Sequence, residues 1–244
     1  MPDMPDTGAT ADGGFARALI VMAHPDDPEF TAGGTIAAWT SAGTEVAYVI
    51  VTDGSKGTSD RTMSVERLVP LREREQRAAG RTLGVDDITF LKLGDGEISP
   101  DLELRHAITR EIRKHRPDVV VTHDPALLYW DHYINHPDHR AVGQATLDAV
   151  FPTARDWLNA PYLLQQEGLE PHHVREVYLA GAKDPDTWID IAATIETKID
   201  ALREHESQIK DMGALPGRIH DRAAGMADGH GMALAEAFKR IRLP

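Results

Sequence analysis

The stretch Ala18-Leu19-Ile20-Val21-Met22-Ala23-His24-Pro25-Asp26-Asp27-Pro28-Glu29-Phe30 opens as an unbroken apolar run and closes in imidazole and carboxylate. A buried strand wants apolar β-formers, and a proline-containing turn ends its hydrogen-bonding ladder, so the polar cluster is expected at the strand's carboxyl end. In an open α/β sheet that edge is where sites are built. Working outward, Thr31 to Ser41 is helix-compatible, with Ala42-Gly43 as its stop, and Glu45 to Thr52 reads as a second buried strand. Strand, helix, strand implies parallel pairing. The alternation repeats: a loop over Asp53 to Asp60, a charged helix over Val65 to Leu83, a strand over Ile88 to Leu93, a helix over Leu102 to His115 and a strand over Val119 to Thr122. This pattern predicts an α/β fold, a Rossmann-like, doubly wound, mostly parallel sheet with helices on both faces and an irregular C-terminal extension.

The fourth strand runs into His123-Asp124-Pro125 and a polar, aromatic loop from Tyr129 to Asn135. His136-Pro137-Asp138-His139-Arg140 follows, and Ala141 to Val150 is helical in character. Beyond that point, Phe151 to Gly168 reads as loop and short helix, and Glu176 to Ala180 and Trp188 to Ile191 as further strands. Thr194 to Gln208 is expected to be a helix, Gly213 to Gly231 a loop or lid, and Met232 to Ile241 a final helix. Residues 1–14 are polar, without the basic and apolar regions of a secretory signal, and are expected to form a disordered leader. A single domain is expected over 15–244, with a core of about 15–150 and an extension of about 151–244.

A formal net charge of −13 disfavours a nucleic acid or an anionic membrane as partner, because phosphate binding is driven by clustered Lys and Arg. A small molecule is the better match. No apolar run reaches the roughly 18 residues of a membrane span, so no membrane insertion is expected. The chain has no cysteine, which is compatible with the cytoplasm and restricts any metal to His, Asp and Glu ligands.

Twelve histidines invite a metal reading, and most of them need none. His106, His115, His172, His173, His220 and His230 lie in segments rich in charge or turn residues, where a solvated imidazole suffices. His24, His136 and His139 each sit in a short Pro- and Asp-containing turn beyond a strand. A catalytic zinc takes three ligands from His and carboxylate and keeps one position open. His24, one Asp of the Asp26-Asp27 pair and one His of the second cluster meet that requirement. Adjacent carboxylates diverge, so one is expected on the metal and the other facing the water as its base. The competing reading is a plain turn in which Asp caps the next helix; the second cluster at another strand end weighs against it.

These motifs resemble the zinc-dependent N-acetylglucosaminyl deacetylases of the PIG-L (LmbE-like) family. The resemblance rests on Ala23 to Asp27, Gly33-Gly34-Thr35, Val51 to Gly57, Leu71-Arg72-Glu73, Leu83-Gly84-Val85, His136 to His139, His205 to Gln208 and Ala235 to Phe238, and so covers most of the chain. It implies zinc held by His24, Asp27 and His139, with Asp26 as general base; two nitrogens and a carboxylate also bind iron or cobalt, so another divalent transition metal is the alternative. It also implies that His136, oriented by Asp138, stabilises the oxyanion or protonates the amine, and that Arg72 and Gln208 contact substrate. Where the family pattern has an acidic residue straight after the Asp pair, Pro28 intervenes here and Glu29 follows. The resemblance leaves His123 and His205 open between structural and site roles, and admits a homo-oligomer as well as a monomer.

The function expected is removal of an N-acetyl group from an amino sugar or glycoconjugate. Cleavage of a thiol-conjugate amide by the same chemistry is the near alternative. A non-catalytic sugar- or nucleotide-binding module is the distant one, and the absence of G-x-G-x-x-G after the first strand counts against it.

Overall fold

The computed structural model describes residues 14–244, so the expected leader lies, Gly14 apart, outside the described residues. In chain order the elements are β1 (Arg17–Met22), α1 (Asp27–Ser41), β2 (Glu45–Thr52), α2 (Val65–Thr82), β3 (Asp87–Leu93), α3 (Leu102–His115) and β4 (Val119–His123). A two-stranded ribbon, β5 (Tyr129–Trp130) and β6 (Tyr133–Ile134), precedes α4 (Pro137–Asp148). There follow α5 (Pro161–Gln165), β7 (Glu176–Ala180), β8 (Thr187–Asp190), α6 (Ile195–Arg203), α7 (Leu215–Ala227) and β9 (Ala235–Arg242).

Alternation on β1 explains why its sequence is apolar at every position. Ala18, Ile20 and Met22 face one core with Ile36 and Trp39 of α1, while Leu19 and Val21 face the other with Ile108 of α3 and Val142 of α4. A strand buried on both faces has no polar register. The sheet order is β3-β2-β1-β4-β7-β9-β8, parallel from β3 through β7 and antiparallel at β9 and β8. The chain leaves β1 for β2 on one side and later returns as β4 on the other, so the strand order reverses between β1 and β4. That switch point opens a crevice at the strands' carboxyl ends. Both His-Asp clusters of the sequence follow these two strands.

Three elements differ from expectation. Helix α1 starts at Asp27 rather than Thr31, since Pro28 is at home in a first turn and Asp27 and Glu29 complement the helix's positive end. The segment 213–231 is largely α7 rather than a loop: Leu215, Ile219, Ala223 and Ala227 recur every four residues and are buried, which outweighs the helix-breaking tendency of its glycines. The expected final helix is strand β9, because its ladders to β7 and β8 override the helical propensity of Ala-Glu-Ala and Lys-Arg. Residues after 150 thus supply three of the seven strands. No helix among the described residues is long and apolar enough to cross a membrane.

Candidate metal centre and active site

The turn after β1 is built on an unusual backbone. Asp26 has φ 94°, a left-handed conformation costly for a residue with a Cβ, and it caps α1. Its amide donates to Gln76 Oε1 at 2.7 Å, and Arg72 Nη2 donates to Pro25 O at 2.6 Å. This kink sends neighbouring carboxylates in different directions. Asp27 turns inward, where its Oδ2 is 3.3 Å from His24 Nδ1 and its Oδ1 is 3.3 Å from His139 Nε2. His139 Nε2 is in turn 3.3 Å from His24 Nδ1.

The two imidazole nitrogens and the Asp27 carboxylate, which turns a different oxygen to each, therefore form a triangle of groups about 3.3 Å on a side. Zinc bonded at about 2.0–2.1 Å in tetrahedral geometry separates its ligand atoms by about 3.3–3.4 Å, so the donor set and its spacing fit such an ion. The rest of His24 agrees. Its Nε2 lies 3.2 Å from Asp138 Oδ2 and 3.3 Å from Asp95 Oδ1, an outer carboxylate shell that fixes the tautomer and frees Nδ1 to face inward. With three carboxylates about it the imidazole prefers positive charge: against the cost of burial, Asp138, Asp27 and Asp95 push its pKa up to about 12. A cation among these groups answers the same excess of negative charge.

Asp26 stands outside the triangle with its Oδ2 3.2 Å from Arg72 Nη2. Burial and the adjacent Asp27 charge raise its pKa to about 6 in spite of Arg72, whereas Asp27, also buried, is held well below the usual range by His139 and His123. His136 caps α4: its Nδ1 accepts from the Asp138 amide at 3.2 Å, which leaves the proton on Nε2. Burial and the nearby His24 charge lower its pKa.

Asp138 meets His136 through its backbone amide, and its carboxylate turns to His24. Its carboxylate is 3.9 Å from His136 Nδ1 but within bonding distance of His24, and it accepts from the Gly96 amide at 2.7 Å. Arg72 also takes a different form from a substrate contact. It is 4% exposed and spends its guanidinium on Pro25 O, Gly54 O and Asp26. Gly54 and Gly57 make room for it, since a Cβ at either would stand 2.5 or 2.4 Å from Nη1. Gln208 packs against the same loop and donates to Ser207 Oγ at 2.8 Å. Ser207 is tied to Glu75 and His205 to Glu29, which pins this loop to α2 and α1. Glu29 accepts from Gln76, so the buried chain His205, Glu29, Gln76 ends on the Asp26 amide.

Sequence reasoning passed over Asp95, although it lies at the carboxyl end of β3, where the rule that found the other clusters also points. It left His123 undecided. Burial and His139 push that ring's pKa down to about 4; it accepts from the Ala23 amide and stacks on His139 with centroids 4.0 Å apart.

A doubly wound sheet with two imidazoles and a carboxylate converging at its switch point defines an α/β protein with a cluster at its strand ends that could hold a metal ion. The family described as GlcNAc-PI de-N-acetylase, PIG-L, matches residues 19–150. Diacetylchitobiose deacetylase of Thermococcus kodakarensis is 36% identical over 80% of this chain and 71% of its own length. A 1D-myo-inositol 2-acetamido-2-deoxy-alpha-D-glucopyranoside deacetylase of Mycobacteroides abscessus is 31% identical over 79% of this chain and 81% of that protein. The structure of N,N'-diacetylchitobiose deacetylase from Pyrococcus horikoshii superposes with a TM-score of 0.87 at 30% identity, covering 95% of this chain and 86% of that one. The chain belongs to the PIG-L family.

Proposed function

We propose that the protein is a zinc-dependent hydrolase that removes an N-acetyl group from an amino sugar or glycoconjugate. The observation that carries this reading is the 3.3 Å triangle of His24 Nδ1, Asp27 and His139 Nε2, with a second carboxylate, Asp26, kept apart from it. Family membership and deacetylase relatives support the same chemistry.

His24, Asp27 and His139 would hold the metal, which when bound supplies a Lewis acid that polarises an amide carbonyl and acidifies water. Asp26 accepts the proton of the attacking water; its raised pKa gives it the basicity for that task near neutral pH. His136 presents Nε2–H toward the developing oxyanion, a donor already in place before reaction. The proton gathered by Asp26 then passes to the departing nitrogen. Asp138 and Asp95 orient His24, and Arg72 orients Asp26. Gln208, half-buried beside the Gly57 loop, is the remaining candidate for contact with the sugar.

Acetate release from N-acetylglucosamine, N,N'-diacetylchitobiose and N-acetylated thiol conjugates tests the assignment. Turnover of an amino sugar that stops on chelation and returns with zinc is the expected result. Zinc-loaded protein that releases acetate from none of them overturns it.

A further inference from the structure

Beside the metal centre lies a cavity of about 560 Å³ whose inner wall includes Asp27 and His139, two of the three candidate ligands. Asp26, Arg72, His136 and Asp95 are not part of its lining. A carbonyl positioned at the centre therefore has two different sides. The polar side, with His136 and Asp95, suits the amine-bearing ring, and the cavity side receives whatever is attached to the carbonyl carbon. An acetyl methyl needs on the order of 30 Å³, about a water's share of volume. The cavity is far larger.

Its chemistry narrows the occupant. Leu127, Trp130, Tyr133, Ile219 and Met226 give it an apolar wall. Several of its polar side chains are already engaged: Thr31 Oγ1 donates to Asp27 O at 2.7 Å, Asn135 donates to Leu127 O at 2.9 Å and accepts from Tyr133 Oη, and Lys198 pairs with Glu236 at 2.6 Å, while the exposed Arg222 also contributes to the lining. Along the apolar wall a second sugar ring would lose water from several hydroxyls and find few partners beyond Arg222, while an alkyl chain has no such hydrogen bonds to lose.

We propose that this cavity is an acyl-chain subsite, and that the protein hydrolyses N-acyl amino sugars whose chains extend well beyond acetyl. The inference rests on the amidohydrolase reading above. In the step itself the water oxygen bonds to the acyl carbon and the carbon–nitrogen bond breaks. One water proton goes to the leaving nitrogen and the other, given up by the new carboxylic acid, to the free amine, so the products are a fatty carboxylate and an amino sugar as its ammonium, with no oxidant or reductant involved.

Calorimetric binding to the zinc-loaded Asp26→Asn protein, which should not turn over, compares N-acetyl-, N-butyryl- and N-octanoylglucosamine; wild-type kcat/KM is measured on the same series. Octanoyl is expected to bind at least tenfold more tightly than acetyl and to be hydrolysed. Met226→Trp on α7 and Ala182→Phe beyond β7, two independent ways of filling the cavity, should erase that gap, with zinc stoichiometry and Tm near wild type showing that the fold and the metal centre are intact. An octanoyl compound bound no more tightly than the acetyl one, or a gap that survives both variants, overturns the subsite. If acetate is released but octanoyl does not bind, the hydrolase reading stands and the subsite falls. If octanoyl binds selectively and nothing is hydrolysed, the subsite stands as a binding site and the hydrolase reading falls.

Discussion

Two adjacent aspartates carry opposite duties because one backbone angle separates them. The left-handed φ of Asp26 costs roughly 1–2 kcal/mol, and Gln76 and Arg72 hold the residue there. Pairs of acids whose environments drive their pKa values apart commonly divide base and anion roles, and here burial and a negative neighbour raise Asp26 while two imidazoles lower Asp27. Asp26→Asn should reduce kcat by about 10²–10⁴-fold with zinc stoichiometry unchanged by metal analysis; activity within tenfold of wild type removes Asp26 as base. Arg72 reaches Pro25 O, Gly54 O and Asp26 at once through its planar fork, which a lysine cannot reproduce. Arg72→Lys is therefore expected to lower kcat by roughly 10–100-fold with KM within about threefold, the pattern of a lost transition-state interaction rather than of lost uniform binding. A large rise in KM at constant kcat would instead make Arg72 a substrate contact.

At the level of elements, the end of the sheet opposite the site is clamped by Asp118, just before β4. Its carboxylate accepts from the Ala16 and Arg17 amides at 2.8 and 3.1 Å and pairs with Arg175 at 2.8 Å, joining β1, β4 and the approach to β7. Burial opposes ionisation, but these donors outweigh it and lower the pKa. A depressed folded pKa means the stabilisation is present above the ordinary carboxylate pKa of about 3.9 and is lost as pH falls through the folded value. Asp118→Asn should cost about 1–2 kcal/mol at pH 7, a fall in Tm of about 2–8 °C, and the deficit should close in melts taken below pH 3. An equal deficit at both pH values would mean the loss is not electrostatic. The same scale shows what the amino-acid sequence could convey. Strands β1, β2 and β4 were legible because burial on both faces leaves an apolar run, the half-buried edge strand β3 because Ile88 to Leu93 is still largely apolar, and His24 to Asp27 and His136 to His139 because chemistry is concentrated in a few consecutive residues. Strand β9 was not, since only the gap between β7 and β8 makes Ala235–Arg242 extended. Nor were the links of Asp95 to His24, Arg72 to Asp26 and His205 to Glu29, which depend on β3 lying beyond β2 and on a contact spanning 176 residues.

For the molecule as a whole, the proposed metal site is also a tie. His24 and Asp27 come from the β1–α1 turn and His139 from α4, more than a hundred residues later, and the two segments meet only across the β1/β4 crevice. In the folded chain the three donors converge at 3.3 Å, an arrangement the unfolded chain lacks. An ion bound there stabilises the native state by mass action, about 4 kcal/mol at a free concentration a thousandfold above Kd. For a chain of this size that corresponds to a rise in Tm of about 8–16 °C. Zinc titrated into chelator-treated protein should produce this rise in a melting experiment, and His139→Ala should abolish it while leaving the metal-free Tm within a few degrees of wild type. The buried ring of His123, stacked behind His139, should keep α4 seated on β4 in that variant. A thermal shift that persists in His139→Ala would place the bound ion elsewhere, and the outer cluster of His24, Asp95, His136 and Asp138 is where it would then be sought.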